Sequence, residues 1–245
     1  LIPIIEDAFK SLSLGKTVMP PILRHDIEKF HGESDVKAAY IEGLDSFAVK
    51  VASGFFNNPK LGLPSSNGLM ILLDSQTGVI KSVLLDKGYL TDVRTAIAGA
   101  IASKYLSNPE SSTVAIIGTG IQARMQLEAL FLVRDIKNVN VWSRDIKKTH
   151  AYIEDVSKNI NLNFTAFDNT NEVVNNADIL ITTTPSKKPL VDYSSLPKGI
   201  HITAMGSDAE EKNELEPDII KNCDVYVPDS QAQTSILGEL NHAIK

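Results

Sequence analysis

The chain has 245 residues, enough for one large domain or two small ones. Apolar residues make up 43% and charged residues 22%, and the net charge of −6 is spread without long runs of one sign. A disordered chain, a nucleic-acid binder and a binder of anionic membranes do not have this composition. No apolar run approaches the ~20 residues of a membrane span and no basic-then-apolar leader is visible, which gives the expectation of a cytoplasmic protein. Cys223 is the single cysteine, so an internal disulfide and a cysteine metal cluster are excluded. Its place before an apolar stretch reads as a buried structural thiol.

Residues 1–15 repeat apolar positions as an amphipathic helix does (Ile4, Ile5, Ala8, Phe9, Leu12). The helix starts with no capping residue or initiator methionine, which suggests that residues precede it. Met19-Pro20-Pro21 leads an extended segment to Arg24. Strands are predicted at 35–41 and 46–52, with Phe47, Val49 and Val51 on one face and Ala48, Lys50 and Ala52 on the other. Lys50 is the only charge on its strand. A Gly/Asn/Pro-rich loop at 54–64 precedes two more strands, 68–74 and 79–85, joined by the turn Ser75-Gln76-Thr77-Gly78. The first ninety residues thus read as a mostly antiparallel sheet with one or two helices. The period then changes: Leu90, Val93, Ile97, Ile101 and Tyr105 predict a helix over 91–106, with Thr91 as N-cap. On that reading Arg94 and Thr95 lie in its first turn, beside free N–H groups, where a phosphate or a carboxylate would be received.

From Thr113 strands and helices alternate. Strands are predicted at 114–117, 139–142, 162–166, 179–183, 200–204 and 225–227. Helices are predicted at about 122–133, 147–158, 171–176 and 217–221, and a helix-like segment at 231–245. This is the pattern of a doubly wound parallel sheet, an α/β fold. The first of these strands ends in Gly118-Thr119-Gly120-Ile121-Gln122-Ala123, a G-x-G-x-x-A turn between strand and helix. Gly118 permits the tight turn, Gly120 lets a pyrophosphate approach the backbone, and Ala123 lets helix and strand lie close. The end of the second strand, ~20 residues on, is where an acid would hold the 2′-OH of NAD. Here Ser143 stands at that point and Arg144, next to it, could face a 2′-phosphate, which tilts the reading towards NADP(H); Asp145 keeps NAD(H) open. Thr183, in a Ser/Thr-rich stretch ending the fourth strand, could bond nicotinamide or ribose, or simply end the strand. The five histidines show no metal-ligand spacing. His201 reads as a satisfied core histidine, and His242 with Glu239 as a solvated helix face.

Four segments in this order resemble the ornithine cyclodeaminase/mu-crystallin family: Phe47-Ala48-Val49-Lys50; Leu90-Thr91-Asp92-Val93-Arg94-Thr95-Ala96; Ile117 to Ala123; and Ala204-Met205-Gly206-Ser207-Asp208 with the residues up to Leu215. The wording around Gly43–Phe47, Asn57–Pro64 and Gly206–Asp208 is most similar to the branch of ectoine-utilisation protein C and iminosuccinate reductases. The resemblance implies that Arg24, Lys50 and Arg94 grip a substrate α-carboxylate, and that Thr95 lies by the cofactor phosphates. It also implies that Met205 and Gly206 border the cofactor and that Asp208 faces the substrate nitrogen. Ser207 and Ala209-Glu210-Glu211 depart from the wording common in the family around this aspartate, which bears on strict ornithine cyclodeamination.

The expected organisation is a substrate-binding and dimerisation domain at 1–106, completed by 231–245 and by residues beyond them, and a Rossmann-type dinucleotide-binding domain at 107–230. The expected activity is an NAD(P)H-dependent imine reductase or amino-acid dehydrogenase, for example iminosuccinate to aspartate, working as a homodimer, with Lys50 and Asp208 as catalytic groups. A second carboxylate would need a further cation; His31, Lys60 and Lys212 are candidates. Two alternatives remain at this point: a cyclodeaminase that recycles NAD in place, and a non-catalytic NADP(H)-binding protein of mu-crystallin type.

Overall fold

A computed structural model describes residues 1–245. The chain divides into two compact units, Leu1–Thr95 and Ala96–Lys245.

The first unit opens with α1 (Ile2–Ser13), which packs on β3. It continues through β1 (Thr17–Val18), β2 (Leu23–Ile27), β3 (Gly32–Ile41), β4 (Ser46–Phe55), β5 (Ser66–Asp74) and β6 (Ile80–Leu84). All pair antiparallel, in the order β1-β3-β4-β5-β6, with β2 beside β3. The register sorts the side chains by face, because directly opposed residues point the same way and their neighbours the other. Leu23, Val36, Val51 and Leu69 form one row of an apolar face, and Ala38, Val49, Ile71 and Val83 the next. The opposite face carries Arg24 across from Asp35, Asp26 across from Glu33, and Lys37 across from Lys50. Asp74 closes the β5–β6 turn by accepting from Gln76 N, Thr77 N and Thr77 Oγ1.

Helix α2 (Tyr89–Leu106) starts two residues before the expected Thr91. Asp86, in the preceding loop, caps it instead: Leu90 N donates to Asp86 Oδ2 at 2.7 Å. Arg94 and Thr95 therefore lie in the second turn, and the Thr95 hydroxyl donates to Thr91 O at 2.8 Å. The expected free N–H groups beside them are not there, because second-turn N–H groups bond within the helix.

The second unit alternates β7 (Thr113–Ile117), α3 (Ile121–Leu130), β8 (Asn138–Trp142), α4 (Ile146–Val156), β9 (Asn163–Phe167), α5 (Thr170–Val173), β10 (Ile179–Thr182) and β11 (His201–Ala204), and ends with α6 (Pro217–Asn222), α7 (Gln231–Thr234) and α8 (Gly238–Ile244). Its five strands are all parallel, in the order β11-β10-β7-β8-β9. Both faces are covered. Val114 and Ile116 pack with Leu127, Val139 and Tyr152, whereas Ala115 and Ile117 pack with Trp142, Leu180 and Leu215. The fold is thus an α/β Rossmann-type parallel sheet plus a separate antiparallel unit.

Three expectations fail here. Val225-Tyr226-Val227 is not a strand; its valines are 71% and 61% exposed, with no neighbouring strand to pair with. Residues 231–245 belong to the second unit, where α8 packs on α6, rather than to the antiparallel one. Cys223 is exposed, and its thiol donates only to Ile220 O.

Candidate active site

The order β7-β8-β9 on one side and β10-β11 on the other places the reversal of the sheet beside β7, the strand that ends in the glycine turn. Gly118 has φ +118°, and a Cβ there would meet Thr183 Oγ1 at 2.5 Å. Thr183 is held in turn, its N–H donating to Ile117 O at 2.9 Å and its hydroxyl to the same oxygen at 3.2 Å. Gly120, the N-cap of α3, has ordinary φ and nothing within 4 Å of a built Cβ. Open space at Gly120, an α3 N-terminus with no side-chain cap and a half-exposed Ile121 form a cradle that fits a pyrophosphate. Gln122 follows in the first turn and Ala123 is fully buried, its carbonyl accepting from Tyr152 Oη at 3.1 Å.

At the end of β8, the Ser143 hydroxyl bonds Asp145 O and Thr149 Oγ1, both at 2.9 Å. Asp145 caps α4 by accepting from Lys147 N at 3.0 Å. Arg144 between them is exposed.

The ends of β10 and β11 are joined by a residue that sequence reading passed over. Glu214 is fully buried. It accepts from Thr182 Oγ1 (2.8 Å), Thr184 N (2.6 Å), Thr184 Oγ1 (2.7 Å) and Gly206 N (3.0 Å). Burial pushes its carboxyl up to about 7, against the pull of these bonds. Gly206 must be glycine, because a Cβ would run into Thr184 and Glu214. Glu239 of α8 is buried as well, and accepts from Glu214 N at 2.9 Å and Leu215 N at 3.2 Å. It is not the solvated residue expected; His242, on the same helix, bonds Lys212 O at 2.9 Å. No local signal marks Glu214, since its partners lie 8 to 32 residues away.

Met205 and Gly206 leave β11 and lead to Asp208, whose carboxylate is largely exposed. The buried Lys212 donates to Asp208 Oδ1 at 2.6 Å. Lys212, a candidate for a second substrate carboxylate, is thus the tether of Asp208. His201 bonds Thr203 Oγ1 at 3.0 Å, and burial, then Arg134, lowers it to about 4, as befits a neutral core histidine.

In the first unit, Arg24 bonds Asp26 Oδ1 at 2.9 Å and Glu33 Oε2 at 2.8 Å. Lys50 is half-buried and has no ion pair. Burial, then Arg94 and Lys37, lower it to about 8, opposed by Asp35 and Asp92. Arg94 and Lys50 therefore belong to one electrostatic cluster. No group of three His, Cys, Asp or Glu residues is arranged to hold a metal, and no helix is long and apolar enough to cross a membrane.

The model of the ornithine cyclodeaminase/mu-crystallin family matches residues 1–245. The chain belongs to this family. Over 241 residues it is 53% identical to the uncharacterized cyclodeaminase y4tK of Sinorhizobium fredii, covering 98% of this chain and 73% of the relative. Its fold matches that of Thermococcus litoralis Δ1-pyrroline-2-carboxylate reductase in complex with NADH and L-proline, with a TM-score of 0.93 and 30% identity over 99% of this chain and 75% of the other. The iminosuccinate reductase of Paracoccus denitrificans in complex with NAD+ is similar too, with a TM-score of 0.87 and 26% identity over 99% of this chain and 74% of the other. In this chain the glycine turn joins β7 to α3, Arg24 and Lys50 lie on β2 and β4, and Asp208 follows β11.

Proposed function

We propose that the protein is an NAD(P)H-dependent imine reductase, equally an amino-acid dehydrogenase in reverse, acting on C=N or CH–NH2 of a small amino acid, specifically iminosuccinate to aspartate. The observation that carries the reading is Lys50, a half-buried ammonium without a counter-ion, in the field of Arg94 and lowered to about 8. Such a group binds an anion and exchanges a proton near neutral pH. Lys50 and Arg94 hold the α-carboxylate. Arg24 lines the same sheet face, braced by Asp26 and Glu33, and orients it.

Gly118, Gly120, Ile121 and Gln122 hold the pyrophosphate, with Arg94 and Thr95 near the phosphates and Thr183, Met205 and Gly206 along the nicotinamide. The nicotinamide, when bound, exchanges hydride with the α-carbon. Asp208, fixed by Lys212, stabilises a protonated imine nitrogen or passes its proton; Lys50 is the second proton carrier. NADP(H) is the cofactor we propose. Asp145 gives Oδ1 to the cap of α4 and Ser143 is bonded to Asp145 O and to Thr149 of α4, and the exposed Arg144 between them is placed to meet a 2′-phosphate. The two similar structures hold NADH and NAD+, so the preference rests on Arg144.

We further propose a homodimer through the apolar face of the antiparallel sheet, whose Val36, Val49, Val51, Leu69 and Ile71 are only partly buried. Sedimentation of the wild type should give a dimer, and Ile71→Asp a monomer. A dimer unaffected by that change would place the interface elsewhere.

The 53% identity to a named cyclodeaminase supports the second reading. Absorbance of reduced cofactor separates the two. Stoichiometric NAD(P)H consumption with an imine is expected, whereas ammonia release from a diamino acid without net cofactor change would favour the lyase.

A further inference from the structure

Lys37 stands directly opposite Lys50 on adjacent antiparallel strands. Side chains in such a pair share a face, with Cβ atoms roughly 5 Å apart, and like charges there repel. The surroundings answer this charge only in part. Lys37 Nζ pairs with Asp35 Oδ2 at 3.2 Å, Arg24 is taken by Asp26 and Glu33, and Lys50 has no ion pair. The other oxygen of Asp35, Oδ1, is buried without a hydrogen-bond partner. One sheet face therefore presents two adjacent ammonium groups, one of them without an ion pair. A ligand with two anionic groups answers both.

We infer that Lys37 binds the distal carboxylate of the substrate, so that the site selects dicarboxylic imines and amino acids over monocarboxylic ones. The inference rests on the reading that Lys50 binds the α-carboxylate, and deepens it. Lys37 and Lys50 receive the two carboxylates. Lys37 is partly exposed, and its ammonium has donors left for a ligand carboxylate while it keeps its pair with Asp35.

The test uses the full chain and two imines formed in solution, from oxaloacetate with ammonia and from pyruvate with ammonia, with NADPH and NADH. The wild type should prefer the dicarboxylic imine in kcat/KM. Lys37→Met should reduce that preference by about 10- to 100-fold, mainly through KM, as expected for loss of one charged hydrogen bond. Lys37→Arg should retain it. A wild type without preference, or a Lys37→Met variant with unchanged preference, overturns the role of Lys37. If neither imine is reduced, the reductase reading fails separately, and calorimetry with succinate and propionate decides the lysine. Tighter binding of succinate, lost in Lys37→Met, sustains the inference; equal binding of the two acids overturns it.

Discussion

At Lys50 the proton equilibrium and the proposed chemistry meet. Its folded pKa, lowered to about 8 from 10.5, means that the folded chain binds fewer protons than the unfolded chain between those values. The strain of a buried cation is therefore present below pH 8 and relieved as pH rises towards 10.5. Activity has the opposite slope, because the cation grips the carboxylate: kcat/KM for imine reduction should fall as pH rises through about 8. Lys50→Met should lower kcat/KM by about 10- to 100-fold and abolish that limb of the profile. A profile with the same limb in the variant would assign it to another group. Gly118 and Gly120 make a matched pair. Gly118→Ala, at φ +118° against Thr183, should cost about 1–3 kcal/mol in denaturant unfolding. Gly120→Ala should cost less than about 1 kcal/mol yet weaken dinucleotide binding by about tenfold, read by fluorescence of the reduced cofactor. Arg144→Ala should weaken NADPH more than NADH by about tenfold or more; equal loss would remove its assigned role. The glycine turn was legible because six consecutive residues carry it. The juxtaposition of Lys37 and Lys50 was not, because it depends on a register between residues 13 apart in the chain.

Among the elements, the loops after β10 and β11 owe their shape to one carboxylate. Replacing Glu214 with Gln puts an amide donor where Thr184 N or Gly206 N already donates, so the clamp opens. Raised burial-driven pKa values give the sign: stability contributed by Glu214 is fully present below its unfolded pKa and lost as pH rises through about 7. Thermal melts should therefore show a gain between pH 8 and pH 6 in the wild type that is smaller in Glu214→Gln. An identical gain would place the titration elsewhere. Helix α8 acts on the same loops at one remove, through the bonds from Glu214 N and Leu215 N to Glu239. The helix periodicity of 231–245 was visible, but its destination was not, since nothing local distinguishes a helix that docks on α6 from one that joins the antiparallel unit. The same limit explains residues 225–227: an apolar triplet has strand character, yet a strand needs a paired neighbour. At α2, a cap supplied by Asp86 from a loop outweighed the better-looking Thr91.

For the molecule as a whole, the change from period two to alternating strand and helix announced two architectures, and both are present. Local alternation was enough for the antiparallel unit, while the parallel unit revealed itself through short apolar strands buried on both faces. The division between the units falls at Thr95, within α2, rather than at 106, and Ala96, Ile97 and Ala100 just beyond it are buried. The central claim concerns an α-carbon that exchanges hydride with a bound nicotinamide. Incubating the full chain with 4-deuterated NADPH, ammonia and oxaloacetate tests it directly by mass spectrometry of the amino acid formed. One deuterium at the α-carbon of aspartate, matched by loss of reduced cofactor, is the expected result. Reduced cofactor left intact, with no deuterated amino acid formed from oxaloacetate or from pyruvate, would contradict it.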